Sequence, residues 1–385
     1  MPIDNDFIYG SSMFIGETTR GVKMPVFWDA NTPMYNNRPP CSIVTGAPGS
    51  GKTFFGLTVT TLSWVLGKTT VVLDPKGDFI PLTNLQKELG SCNLWNLTDS
   101  NGGRAGILDP FNLGDTPEDK LNLSVSVIDL FVGGLSDTQM TVLAPILKDI
   151  IDLPNPSLQK VVLELRGSQR QEARDLGTKL DLIQNMKYSK LCFAPGNSSR
   201  GLINFKTGVT IVTLPGMPLP KTEEEAKSNS GRLVSGILFL LTDFIRKVME
   251  NMDSKQPKML IIDEAWNILM NKYGAGVVQS VALLGRSKNI GLMLLSQNVS
   301  HFDGLDIKNT ISTRFAFRTD SDEALRIVDD MGLPENEGFE DTLPSLRKGE
   351  CLMQDFLGRC STVQISNWKK DWAQAFNSNP LTKVS

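Results

Sequence analysis

Gly46 to Thr53 read GAPGSGKT, the spacing G-x-x-x-x-G-K-[ST] of a phosphate-binding loop. Each residue type serves the chemistry. Glycines at Gly46, Gly49 and Gly51 let the backbone fold tightly and turn its N–H groups toward phosphate oxygens. Lys52 is a point charge for the β- and γ-phosphates, and the Thr53 hydroxyl suits Mg²⁺. Ala47, Pro48 and Ser50 complete the loop, and Phe54 follows it as a further nucleotide contact. A second constellation is KMLIIDEAW, Lys258 to Trp266. Four apolar residues end in two acids, the form of a Walker B strand. Asp263 is the candidate Mg²⁺ ligand and Glu264 the candidate general base. Taken alone, an acid there also suits a helix N-cap. Beside a phosphate loop the catalytic reading prevails, because buried acids are costly without a metal or hydrogen bonds.

These residues need strands and helices to hold them. CSIVT (Cys41 to Thr45) reads as a short buried strand before the loop, and TFFGLTVTTLSWVLG (Thr53 to Gly67) as the helix after it. TTVVLD is β-branched and apolar, a parallel strand buried on both faces. It ends in Asp74-Pro75-Lys76-Gly77-Asp78, at the end of a strand where ligands bind in open α/β sheets. That turn reads equally as a nucleotide, Mg²⁺ or subunit contact and as a plain polar turn. TGVTIVTL (207–214) and GLMLLSQN (291–298) are further buried strands, the latter carrying Gln297 at its carboxyl end to orient water or sense the γ-phosphate. The helix between the Walker B acids and that strand ends in GRSKN, with Arg286. ISTRFAFRTD is a strand bearing Arg314 and Arg318, and GECLMQDF with GRCSTVQI reads as a closing hairpin at a sheet edge.

The expected fold is α/β: a RecA-like P-loop core with a mostly parallel sheet flanked by helices. Residues 1–114 form its first part, with strands near the N-terminus at FIYGSSMFIG and MPVFWDA. Residues 115–200 carry helical spacing throughout, opened by Thr116 as N-cap and Pro117, and read as an all-α insertion. Residues 201–385 return to the core and end in a polar helix with Trp368 and Trp372.

Composition narrows the function. The 385 residues are 40% hydrophobic and 21% charged, ordinary globular values. A net charge of −3 gives no global attraction to nucleic acid, and no basic stripe stands out. Five cysteines without a C-x-x-C pair fit free, mostly buried thiols in a reducing cytosol. The single histidine, His301, excludes most His-based metal sites and Ser-His-Asp triads, and reads as a loop residue without a chemical role. No secretory signal opens the chain, and LVSGILFLL (Leu233 to Leu241) is too short to span a bilayer. The protein is therefore expected to be soluble, or held at a membrane by partners.

With these pieces placed, the chain resembles the ATPase domain of the TraC/VirB-type ATPases of bacterial conjugation and type IV secretion, in the FtsK/HerA-like branch of RecA-type motors. GAPGSGKT, VVLDPKGDF, LIIDEAW, GRSKNIG, LLSQN and LPSLRKGECLM carry the resemblance over nearly the whole chain. It implies ATP hydrolysis with Mg²⁺, hexamers or other oligomers, and partners among secretion components at the inner face of the cell membrane, with DNA as a further candidate. Lys52 and Thr53 match the family's phosphate-loop positions, Asp263 and Glu264 its catalytic acids, and Gln297 its glutamine. Arg286 matches an arginine that reaches a neighbour's nucleotide; Arg314 and Arg318 are weaker candidates. Full-length members also carry a large N-terminal domain that docks on the secretion machinery. This chain begins almost at the ATPase core, so docking does not follow from it.

Three readings stand: a conjugation or secretion motor, a DNA-translocating coupling protein or pump, and a nucleotide-binding scaffold that hydrolyses little. Intact Lys52 and Glu264 weigh against the scaffold.

Overall fold

The structure is a computed structural model that describes residues 12–99, 104–193, 208–303, 308–334 and 337–366, with 369, 371–372 and 376. The FIYG stretch and most of the C-terminal tail, Trp368 included, lie outside them.

Buried apolar runs become the centre of one sheet. Its strands are β1 (Met13–Thr18), β2 (Pro25–Trp28), β3 (Cys41–Thr45), β4 (Thr69–Asp74), β5 (Cys92–Asn96), β6 (Val209–Thr213), β7 (Lys258–Ile262), β8 (Ile290–Leu295), β9 (Ile311–Phe317), β10 (Glu350–Gln354) and β11 (Cys360–Ile365). The spatial order is β2-β1-β11-β10-β9-β3-β8-β7-β4-β6-β5. From β9 to β5 every pairing is parallel, as the β-branched, turn-bounded runs predict. The five strands expected from the sequence all lie in this parallel part, and their carboxyl ends share one edge.

Period-two alternation divides the core between the two faces. Val72 and Ile261 face the helix Lys52–Val65, packing with its Phe55 and Val59 and with Trp28. Val71 and Leu260 face the other way, against the helices Asn229–Asn251 and Lys272–Lys288. Four helices fill much of the region between β5 and β6: Pro117–Val132, Asp137–Ile151, Leu158–Gly167 and Gln171–Gln184. Thr116 caps the first through the Asp119 amide, as its sequence predicts. Their apolar faces, including Val127, Leu147 and Val162, join the same core as Val71 rather than closing on themselves.

One expectation is corrected. β10 and β11 do form a hairpin, but not at the sheet edge. β1 pairs antiparallel on the outer side of β11, with Gly16 opposite Ile365, and β2 covers β1. Met13, Ile15, Val363 and Ile365 are all buried in one apolar cluster.

The N-terminal strands are anchored by a buried ion pair. Lys68 binds Asp29 and donates to Asn31 Oδ1 at 3.1 Å, with side chains 1% and 0% exposed for the pair. Lys68→Met removes the ammonium from the buried Asp29 carboxylate and is expected to destabilise the fold by roughly 3–5 kcal/mol. A urea unfolding curve superimposable on wild type would show that the pair contributes nothing.

Candidate functional site

The loop after β3 takes conformations that only glycine accepts readily. Gly46 and Gly51 have φ of 144° and 121°. A Cβ on Gly46 would lie 2.7 Å from Phe317 Cβ, and one on Gly51 2.9 Å from Gly349 Cα. Neighbouring strand ends tie the loop down. The Gly46 amide donates to the Gln297 carbonyl at 3.1 Å, the Ala47 amide to the Arg318 carbonyl at 2.9 Å, and the Gly349 amide to the Ser50 carbonyl at 2.8 Å. Lys52 begins the following helix and bends back over the loop, donating to the carbonyls of Gly46 and Ala47. Burial pulls the Lys52 ammonium below its usual range, while Glu264 and Asp263 oppose that shift. The phosphate-loop lysine and both Walker B acids are thus electrostatic neighbours, as the expected sheet requires.

Asp263 and Glu264 follow β7 directly. The Asp263 amide donates to the Leu73 carbonyl at 2.9 Å, which continues the β4–β7 pairing. Burial pushes the Asp263 carboxyl up to about 8, and the nearby Glu264, Asp74 and Asp78 add to it. Such a group gains strongly from a cation. Asp263 and the Thr53 hydroxyl are hard oxygen donors, the chemistry that suits Mg²⁺. Among the described residues no group of three or more His, Cys, Asp or Glu could hold a metal by itself. One carboxylate plus phosphate oxygens is the usual Mg²⁺ arrangement, so these residues fit a nucleotide-bound ion.

Glu264 sits at φ 49°, a left-handed conformation unusual for a residue with a side chain. Its carboxylate is held from two sides. Lys76 forms an ion pair with Oε1, and the Trp266 indole donates to Oε2 at 2.9 Å. Burial favours the neutral acid, but Lys76, Trp266 and Lys52 outweigh it and hold Glu264 below the usual carboxylate range. Trp266 stacks on His301, ring centroids 5.5 Å apart, and His301 Nδ1 meets Ser296 Oγ at 2.6 Å.

The DPKGD stretch is a built turn. Asp74 accepts from the amides of Gly77 (2.8 Å), Asp78 (3.1 Å) and Phe79 (2.8 Å). This fixes where Lys76 leaves the backbone. The sequence left this turn's role open; its lysine is the partner of Glu264. His301, expected as a featureless loop residue, lies in a short 3₁₀ turn (Val299–Phe302) and supports Trp266. Nothing in local spacing signals either contact, because both depend on which strand ends are adjacent.

A cavity of about 660 Å³ opens beside the loop, lined among others by Lys52, Thr53, Phe54, Asp78, Gln364 and Phe376. Its size suits a nucleotide. Phe54, expected as a nucleotide contact, lines it and meets Phe376 edge-on at 6.2 Å. Gln364 and Phe376 were not legible as site residues, since they reach it through β11 and the tail. Pro48 and Gly49 form the exposed tip of the loop.

Two arginines lie away from this cluster. Arg314 is ion-paired with Asp330 at 2.8 Å, a structural contact. Arg286 ends the helix Lys272–Lys288, next to the start of β8, at the opposite ends of the strands from the phosphate loop. It is exposed and donates to Asn37 Oδ1 at 2.7 Å. Arg318 is exposed at the carboxyl end of β9, beside the loop.

The chain is similar in structure to VirB4 of Thermoanaerobacter pseudethanolicus, at 16% identity and a TM-score of 0.75 over 94% of this chain and 97% of that one. It is also similar to the plasmid coupling protein TrwB in complex with ADP and Mg²⁺, at 15% identity and a TM-score of 0.61 over 90% and 88% of the two chains. In sequence it resembles the uncharacterized protein YddE of Bacillus subtilis (strain 168), 21% identical over 365 residues. That match covers 89% of this chain and 43% of YddE, so the chain spans less than half of that relative's length. Residues 32–376 match the model of the AAA-like domain, and the chain belongs to the AAA-like domain family.

Proposed function

We propose that this protein is the ATP-hydrolysing motor of a bacterial conjugation or type IV secretion system, driving assembly or substrate transfer. The observation that carries the reading is the convergence of Lys52, Asp263 and Glu264 at one sheet edge beside a nucleotide-sized cavity. The loop amides and Lys52 bind the triphosphate; Thr53 and Asp263 hold Mg²⁺, which neutralises phosphate charge when bound. Glu264 accepts the proton of the attacking water, and Gln297 orients that water. Likeness to TrwB with ADP and Mg²⁺ supports nucleotide and Mg²⁺ use. We read the protein as a self-assembling oligomer, working at the inner face of the cell membrane through other secretion components. Among the described residues no helix is long and apolar enough to cross a membrane.

Likeness to a plasmid coupling protein keeps a second reading, a DNA-translocating pump. Phosphate release measured with and without single- and double-stranded DNA separates the two. Strong stimulation by DNA favours the pump, and hydrolysis indifferent to DNA favours the secretion motor.

Lys52→Ala tests the site itself. Lys52 is a partly exposed cation in a site built from backbone, so the variant should fold normally. It should lose tight MgATP binding or turnover, with kcat/KM falling about 10²-fold or more. Wild-type hydrolysis in that variant would remove the phosphate-loop assignment.

A further inference from the structure

Lys76 stands between two anionic claims. One is the Glu264 carboxylate, with which it pairs across a sequence separation of 188 residues. The other is the terminal phosphate of a nucleotide on the loop. Three observations set Lys76 beside the phosphate loop. Lys76 lies within electrostatic reach of both Lys52 and Asp263. Asp78, in the same turn, lines the cavity together with Lys52 and Thr53. The Asp74 carboxylate fixes the turn through three amides, so the lysine stem swings from a rigid base. The Lys76 side chain is 44% exposed while Glu264 is only 12% exposed, so the lysine is the freer partner. A lysine ammonium on a four-carbon stem exchanges acceptors easily.

We propose that Lys76 is a positioning residue that trades the Glu264 carboxylate for the terminal phosphate of a bound nucleoside triphosphate, freeing Glu264 only when a third phosphate is present. This rests on the reading of Glu264 as the base and adds a reader of phosphate number to it. On this proposal a diphosphate lacks the competing terminal phosphate and leaves Glu264 engaged. A triphosphate competes for the ammonium, and Glu264, keeping the Trp266 indole on Oε2, has Oε1 open to water.

The test measures binding of MgADP and of a non-hydrolysable MgATP analogue to Lys76→Met and Lys76→Arg by calorimetry. Losing a charge-assisted contact should weaken the analogue about tenfold or more in Lys76→Met while leaving MgADP within about twofold. Lys76→Arg should restore most of that discrimination, which a merely structural role would not do. Equal weakening of both nucleotides, or of neither, would overturn the proposal. So would a failure of Lys76→Arg to recover the preference. Because binding is read without turnover, the result is separable from the base assignment. If Glu264→Gln hydrolysed ATP normally, the base reading would fall while analogue discrimination still reported on Lys76. Lys76→Gln, which keeps a polar stem, replaces Lys76→Met should the latter fold poorly.

Discussion

Glu264→Gln is expected to bind MgATP about as tightly as wild type and to hydrolyse it roughly 10²- to 10⁴-fold more slowly, the usual contribution of a positioned general base. Glutamine keeps the side-chain shape and one carbonyl oxygen for Trp266 or Lys76. It cannot accept a proton from water. The native carboxylate is suited to that task, because Trp266 and Lys52 favour its ionised form against burial, whether or not Lys76 is engaged. Asp263 is not a substitute. It is buried among other acids, and its carboxyl is pushed up to about 8, a group awaiting a cation rather than a proton from water. The two acids are therefore separable. Asp263→Asn should raise the Mg²⁺ concentration needed for half-maximal activity, whereas Glu264→Gln should leave that requirement unchanged. Phosphate release at saturating ATP, with nucleotide affinity measured in parallel, checks both. Wild-type turnover in Glu264→Gln would move the base to another residue.

The sequence revealed the parts whose signals are local. TTVVLD is buried at every residue of β4, and KMLII at every residue of β7, because a parallel strand between two helical layers has no polar face to show. Acids placed directly after such a run must stand at the carboxyl edge, so the position of Asp263 and Glu264 was legible. What stayed hidden depends on pairings distant in sequence. Lys76 meets Glu264 only because β4 lies beside β7. Gln364 lines the cavity only because β11 is inside the sheet rather than at its edge, and that follows from β1 arriving from the other end of the chain. The amphipathic helices between β5 and β6 advertise their apolar stripes but not what those stripes cover. Their core proves continuous with one face of the main sheet. Arg286 shows the same limit. Its helix was legible, while the end of the sheet on which it emerges needed the topology.

Arg286→Ala is expected to fold normally, bind ATP and lose roughly 10³-fold or more in turnover, and mixing it with Lys52→Ala should restore part of the activity. The reasoning is geometric. The helix Lys272–Lys288 starts after the Walker B acids and runs back against β8, so Arg286 emerges where β8 begins. β8 has six residues, which at about 3.3 Å each puts roughly 17–20 Å between that end and the phosphate loop. Within one chain Arg286 cannot reach its own γ-phosphate. It is exposed, and its one described contact is the hydrogen bond to Asn37, so little in the fold requires a guanidinium. A basic residue in the last turn of a helix gains about 0.3–1 kcal/mol from the helix dipole, and losing that would shift stability slightly without touching turnover. The prediction requires, by contrast, that in a ring this surface of one subunit meets the cavity of the next. A guanidinium there offers a permanently charged planar fork to the charge developing on the transferred phosphoryl group. Complementation distinguishes the two accounts. A mixed assembly contains interfaces that pair an intact Lys52 loop with an intact Arg286, although neither pure variant does. Specific activity should also rise with protein concentration as subunits assemble. Full turnover by Arg286→Ala, or by a preparation that stays monomeric at the assay concentration, would mean that each subunit completes its own site, and Arg318, exposed beside the loop directly after β9, would then be the arginine to replace.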